Sequence, residues 1–131
     1  MKDIRSDLAY AVALDPQTIA SDTTTTGEII DTADYDGGVM VTQLATVTDG
    51  TFLPVLEESA DSTFATYSAI ADANLIGTEA DATLSTTQAV STIGINNTLR
   101  YIRYKVTSAS TTTGAVIAAV YHKKAEVKPA V

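Results

Sequence analysis

Val39-Met40-Val41-Thr42-Gln43-Leu44-Ala45-Thr46-Val47, followed by Thr48-Asp49-Gly50 and then Thr51-Phe52-Leu53-Pro54-Val55-Leu56-Glu57, is the stretch that decides the fold. Two β-rich runs joined at Asp-Gly predict a hairpin. A type I′ turn needs positive φ at both central residues, and Asp and Gly tolerate it best. Pro54 inside the second run predicts an edge position or a bulge, because proline cannot donate to a ladder.

The composition agrees with a β protein. There are 22 threonines against 2 Phe and no Trp. β-branched side chains suit a pleated, half-buried surface and lose freedom in a helix. At 131 residues the chain is long enough for one domain with its own core. It contains no Cys, which excludes disulfides, thiolate metal sites and cysteine nucleophiles. No apolar run approaches the roughly 20 residues of a membrane span, so no membrane contact is expected. Met1 to Asp7 mixes acids with bases ahead of a short apolar run, so no signal peptide is expected.

The net charge of −8 is unevenly placed. Residues 1–99 hold 15 acids and 2 bases, a balance of −13, whereas residues 100–131 hold 6 bases and 1 acid, a balance of +5. Such asymmetry marks an interaction surface or plain solvation. Nucleic acid is not an expected partner, since the acidic bulk repels phosphate.

In chain order, residues 1–27 read as an extended N-terminal arm. Leu8 to Leu14 is its apolar part, Asp15-Pro16 ends it, and Ser21 to Gly27 is a polar link. Residues 28–122 read as the body. Glu28 to Asp31 forms a short strand, the hairpin follows, and Thr63 to Ile70 is a further extended run. Leu75 to Gly77 is an apolar plug, and Thr78 to Gln88 is a loop. Ala89 to Ile95 resumes β character. Leu99 to Thr107 alternates, with Ile102, Tyr104 and Val106 on the core face and Leu99, Tyr101, Arg103 and Lys105 on the other. Ala115 to Tyr121 is the last strand, and residues 123–131 read as a C-terminal tail. The expected fold is all-β, a single antiparallel β-sandwich or jelly-roll-like domain.

Chemistry is sparse. Asp31, Asp34 and Asp36 precede Gly37-Gly38, but an EF-hand count from Asp34 puts Ala45 where the bidentate Glu belongs. A solvated turn is the better reading. Glu57, Glu58 and Asp61 form a second acidic turn. His122 is the single histidine, and no Gly-x-Ser-x-Gly elbow, phosphate loop or dinucleotide fingerprint accompanies it. No catalytic, cofactor or metal residues are assigned, and the protein is not expected to be an enzyme. The candidate protein interface is Tyr101, Arg103 and Lys105, where an acidic chain collects bases on one strand face.

Several short pieces come in a telling order: Ile30-Asp31-Thr32-Ala33-Asp34-Tyr35, Thr48-Asp49-Gly50-Thr51-Phe52 and Leu56-Glu57-Glu58-Ser59. Leu75-Ile76-Gly77-Thr78-Glu79 and Arg100 to Thr107 follow. In this order, over roughly residues 29–121, the chain resembles small structural proteins encoded beside the major capsid protein in tailed phages. The resemblance implies a non-enzymatic virion component, a capsid decoration (cement) protein made in the host cytoplasm and carried on the capsid surface. It implies the major capsid protein and further copies of the chain as partners, a trimer included. A head–tail connector or tail component, and a stand-alone carbohydrate- or calcium-binding β-sandwich, stay open as alternatives.

Overall fold

The structure, a computed structural model, describes residues 8–125 apart from Asp34. It contains nine strands: β1 (Leu8–Ile19), β2 (Thr24–Asp31), β3 (Tyr35–Ala45), β4 (Thr51–Ser59), β5 (Ser68–Ala69), β6 (Leu75–Ile76), β7 (Val90–Ile95), β8 (Tyr101–Ala109) and β9 (Ala115–Ala125). A single 3₁₀ turn, Asp72–Asn74, is the helical element among the described residues.

Two antiparallel sheets face each other. The first, sheet A, has the order β1-β9-β3-β7-β6, and the second, sheet B, has the order β2-β8-β4-β5. The chain changes sheet at every connection except β4–β5 and β6–β7. With the two-residue β6 set aside, this is the two-sheet jelly-roll arrangement. The all-β sandwich expected from the sequence is therefore the one observed, and its connectivity selects the jelly-roll form.

The core lies between the sheets. Leu14, Met40, Leu44, Ile93, Ile117 and Tyr121 come from sheet A, and Phe52, Leu56, Ile102, Tyr104 and Val106 from sheet B. Full burial of such side chains contributes about 1.5–3 kcal/mol each. β8 follows the predicted alternation, with Ile102, Tyr104 and Val106 completely buried. Thr42 donates a hydrogen bond across the core to the Tyr104 hydroxyl at 3.2 Å.

The Asp-Gly hairpin is corrected. β3 pairs with β7 and β9, whereas β4 pairs with β5 and β8, so the two runs lie in opposite sheets. Of the two turn residues, Gly50 alone has positive φ, at 96°. The Asp49 carboxylate is engaged elsewhere. It accepts the N–H groups of Thr112 (3.1 Å), Thr113 (3.1 Å) and Gly114 (2.7 Å), and the Thr112 hydroxyl. Asp49 thus ties the β3–β4 corner to the β8–β9 corner. At Gly114 a side chain is impossible, because its φ is +77° and a Cβ would sit 1.7 Å from the Ile19 carbonyl oxygen.

The N-terminal arm is also corrected. β1 pairs with β9 from Leu8 opposite Lys124 to Ile19 opposite Ala115, and buries Ala13, Leu14 and Ile19. Pro16 does not end the strand, because a register shift between Leu14 and Gln17 takes Asp15-Pro16 out of the ladder. Thr24 to Thr26, read as polar link, pair with Lys105 to Thr107 as the start of β2. Gly27 admits close contact with β1, since a Cβ there would lie 1.9 Å from the Ala13 carbonyl oxygen. Residues 1–7 of the expected arm lie outside the described residues. The expected tail starts later than predicted, since β9 runs on through Lys123 and Lys124 to Ala125, and residues 126–131 lie outside the description.

Pro54 follows its edge reading. It sits opposite Val106 in an unbroken β4–β8 register, while β5 reaches β4 only at Glu57 and Glu58. On the side away from β8, the Phe52 N–H donates to Leu84 O (2.9 Å) and the Leu56 N–H to Glu79 Oε1 (2.6 Å). Pro54 lies between them on that side and has no N–H to satisfy. The expected loop 78–88 therefore covers an open sheet edge, with Leu84 fully buried. Burial raises the Glu79 pKa, partly offset by the Leu56 N–H.

Candidate interaction surface

Tyr101, Arg103 and Lys105 do occupy the outer face of sheet B, but the two bases are not presented to a partner. Glu57 sits opposite Arg103 across the β4–β8 ladder. Its carboxylate accepts from Arg103 Nη2 at 2.7 Å and Nε at 3.2 Å, and from Lys105 Nζ at 3.0 Å. The Glu57 side chain is 7% exposed, with Arg103 at 15% and Lys105 at 22%.

What covers them is the segment after β4. The Arg103 guanidinium lies 4.3 Å from the Phe64 ring centroid and 4.9 Å from that of Tyr67. The Asp61 carboxylate shapes this loop by accepting the N–H groups of Thr63 (2.9 Å) and Ala65 (3.2 Å), and the Thr63 hydroxyl. The run Thr63 to Ile70, expected to be extended, is strand only at Ser68–Ala69. Period-two reading places Arg103 on the outer face but carries no sign of a loop folding over that face. The exposed basic docking strand is corrected to a capped ion cluster.

Tyr101 is separate from this cluster. It is half-buried, with the Arg100 guanidinium 5.2 Å from its ring. Arg100 also bonds Asp31 through Nε at 2.9 Å and Nη2 at 2.8 Å. That guanidinium is the main reason the Asp31 carboxyl is held down at about 2. Lys123 donates to the Asp31 carbonyl at 3.0 Å. Arg100, Arg103 and Lys105 of the basic C-terminal stretch are thus engaged within the molecule, with Asp31 and Glu57. Of the acidic triplet, Asp31 is placed in this way and Asp34 lies outside the described residues. Glu58, from the second acidic group, is buried and accepts the N–H groups of Thr98 (2.9 Å) and Leu99 (3.0 Å). Among the described residues no three His, Asp or Glu side chains are grouped to hold a metal ion.

The outer face of sheet A is of a different kind. Leu8–Val12, Gly38–Ala45, Val90–Ile95 and Ala115–Ala125 contain no Asp or Glu, in a chain of 16 acids. Many of the outward positions are apolar, Tyr10 and Val12 on β1, Val39 and Val41 on β3, Val90 on β7 and Val120 on β9, and Gln43, Thr92, His122 and Lys124 are the polar side chains among them. Tyr10 is 56% exposed, Val90 55%, and Ile76 on β6 reaches 78%. Scattered exposed apolar residues are ordinary, but a contiguous patch on a sheet face marks an interaction site.

A groove of about 680 Å³ runs over this face, floored by Gly38 and Gly94 and walled by Val39, Ile76, His122 and Lys124. His122 is half-buried here, edge-on to Tyr10 with ring centroids 4.8 Å apart. The arrangement offers apolar area with cations at its margin and no nucleophile–base pair. The chain matches no protein-family profile and no curated protein. The geometry itself is therefore what speaks to function. Sequence reading missed this face because it is assembled from four separated strands. Its one signal was the absence of acids from those runs.

Proposed function

We propose that this protein is a non-enzymatic virion component, a decoration (cement) protein that lies on the head of a tailed phage. It docks on the major capsid protein through the outer face of sheet A. The observation that carries the reading is the acid-free, largely apolar patch that Leu8–Val12, Gly38–Ala45, Val90–Ile95 and Ala115–Ala125 make on an otherwise strongly acidic sandwich. Apolar burial supplies the affinity, and the surrounding acids keep the free protein soluble and discourage wrong contacts. The order of short sequence pieces between residues 29 and 121 supports the virion setting. The jelly roll suits the role, because it recurs in capsid domains as a rigid scaffold.

The contact belongs to sheet A and not to Arg103 and Lys105, which already neutralise Glu57. Docking of this kind is expected to hold or strengthen as ionic strength rises, whereas a basic docking strand would weaken. The test is co-sedimentation with heads that lack the protein. Val41 and Val120 are direct cross-strand neighbours at the centre of the face. Val41→Glu should fold with a melting temperature close to wild type and lose at least tenfold in head affinity, and Val39→Glu should behave likewise. Wild-type loading by both folded variants would refute the reading.

A further inference from the structure

We propose that two copies of this chain associate by antiparallel pairing of Leu8–Val12 with the same stretch of a second copy, centred on Tyr10. The inference extends the virion reading above to the contact between neighbouring copies.

Unpaired sheet edges invite pairing, and proteins blunt them by brevity, bulges, charge or proline. The edges of this sandwich can be compared one by one. β5 and β6 are two residues each. β2 is bulged between Thr26 and Ile29 and carries Glu28 and Asp31. The second half of β1 has two register shifts, Asp15 and Pro16. Leu8–Val12 has none of these protections. Its register with β9 is unbroken from Leu8 opposite Lys124 to Val12 opposite Val120, and among the described residues β1 pairs with no other strand.

The stretch is also self-complementary. Leu-Ala-Tyr-Ala-Val reads large-small-large-small-large in both directions. A two-fold axis at Tyr10 sets Tyr10 opposite Tyr10 and Ala9 opposite Ala11, so small residues face each other on the core side. On the outer side Tyr10 and Val12, 56% and 48% exposed, gain cross-strand partners. Neither Leu8–Val12 nor the adjoining Val120–Lys124 contains an acid, so two molecules of net charge −8 meet along stretches without negative charge, with Lys123 and Lys124 one strand away. The paired sheets form one ten-stranded sheet, and the apolar outer face continues from one copy to the next. A five-residue strand is only about 17 Å long. The contact therefore falls below the about 1,000 Å² of a stable free interface, and it accumulates where copies are crowded on one surface.

Because the chain has no Cys, single cysteines report the contact cleanly. Directly opposed Cα atoms in an antiparallel pair are about 4.5–5.5 Å apart, within disulfide reach. The full-length Tyr10→Cys protein at high concentration under mild oxidation should form dimers at least tenfold faster than Ile76→Cys. Ile76 is more exposed but lies at the opposite edge of sheet A. Ala9→Cys mixed with Ala11→Cys should cross-link faster than either alone, which fixes the register. If neither Tyr10→Cys nor that mixture exceeds Ile76→Cys while melting as wild type does, the pairing is refuted. Head loading is read separately on uncross-linked protein. Normal loading without cross-linking would sink this inference alone, and cross-linking without loading would sink the proposed function alone.

Discussion

Arg103 lies opposite Glu57 across the β4–β8 ladder and donates to its carboxylate at 2.7 Å, in a site from which water is largely excluded. Removing the cations leaves a buried carboxylate unpaired, the costly way to break an ion pair. With a discount for the remaining exposure, Arg103→Ser with Lys105→Ser is expected to cost on the order of 2–3 kcal/mol. At this chain length that is roughly 10 °C in melting temperature. Adding Glu57→Gln should recover part of the loss. A double variant that melts like wild type would show the cluster to be energetically idle.

Tyr104 and Tyr121 are both fully buried but differ in their partners. Thr42 donates to the Tyr104 hydroxyl, whereas the Tyr121 hydroxyl has no hydrogen-bond partner among the described residues. Tyr104→Phe should cost about 1 kcal/mol by stranding the Thr42 hydroxyl, and Tyr121→Phe should be neutral or stabilising. Thermal melts of the two variants decide it, and equal losses would contradict the asymmetry.

Burial pushes both of these phenols up to about 12. In the unfolded chain they titrate near their ordinary 10, so between these values the native state holds more protons than the unfolded state. The stability they contribute is fully present below pH 10 and is lost as pH rises towards 12. Denaturant titrations across that window should show a falling unfolding free energy, and a flat profile would refute the assignment.

At the acid end the sign reverses. The Thr112 hydroxyl and the Gly114 and Thr112 N–H groups hold the Asp49 carboxyl at about 2, and the Arg100 guanidinium does the same for Asp31. Both groups stabilise the fold above their unfolded values, and the contribution is lost as pH falls from about 4 towards 2. Asp49→Asn should lower the neutral-pH melting temperature and flatten the acid limb. An unchanged acid limb in the variant would place the loss elsewhere.

A chain beginning at Gly27 lacks β1 and the start of β2. It exposes one flank of β9 and removes Leu14 and Ile19 from the core. Such a chain should be insoluble or lack a cooperative melt. A soluble, cooperatively folding product would return residues 8–26 to the status of a detachable arm.

The sequence made the strands more legible than their pairing. Ile102, Tyr104 and Val106 announce a buried face because side-chain alternation is local, and Pro54 announces an open edge for the same reason. Asp49-Gly50 misleads because its strongest partner, the loop ending at Gly114, lies 65 residues away. Leu8–Ile19 misleads because a proline normally ends a strand, and the bulge that absorbs Pro16 depends on the shape of β9. For the candidate surface, the bases at 103 and 105 were visible while the loop of Phe64 and Tyr67 over them was not. The apolar face of sheet A arises when four distant acid-free runs come together.

The order of strands also constrains how the protein can be made. β9 lies between β1 and β3, and β8 lies between β2 and β4, so the last two of the described strands in chain order are inner members of the two sheets. Neither sheet can close while the ribosome still holds residues 101–125. β1 and β2, whose ladder partners are β9 and β8 alone, wait as unpaired β segments, the state most prone to aggregate. Over that interval the emerging chain, residues 1–99, carries a balance of −13, which keeps unfinished neighbours on a polysome apart. Six of the eight bases arrive from residue 100 onward, with the strands that finish the fold, so repulsion is relieved as each chain can bury its own edges.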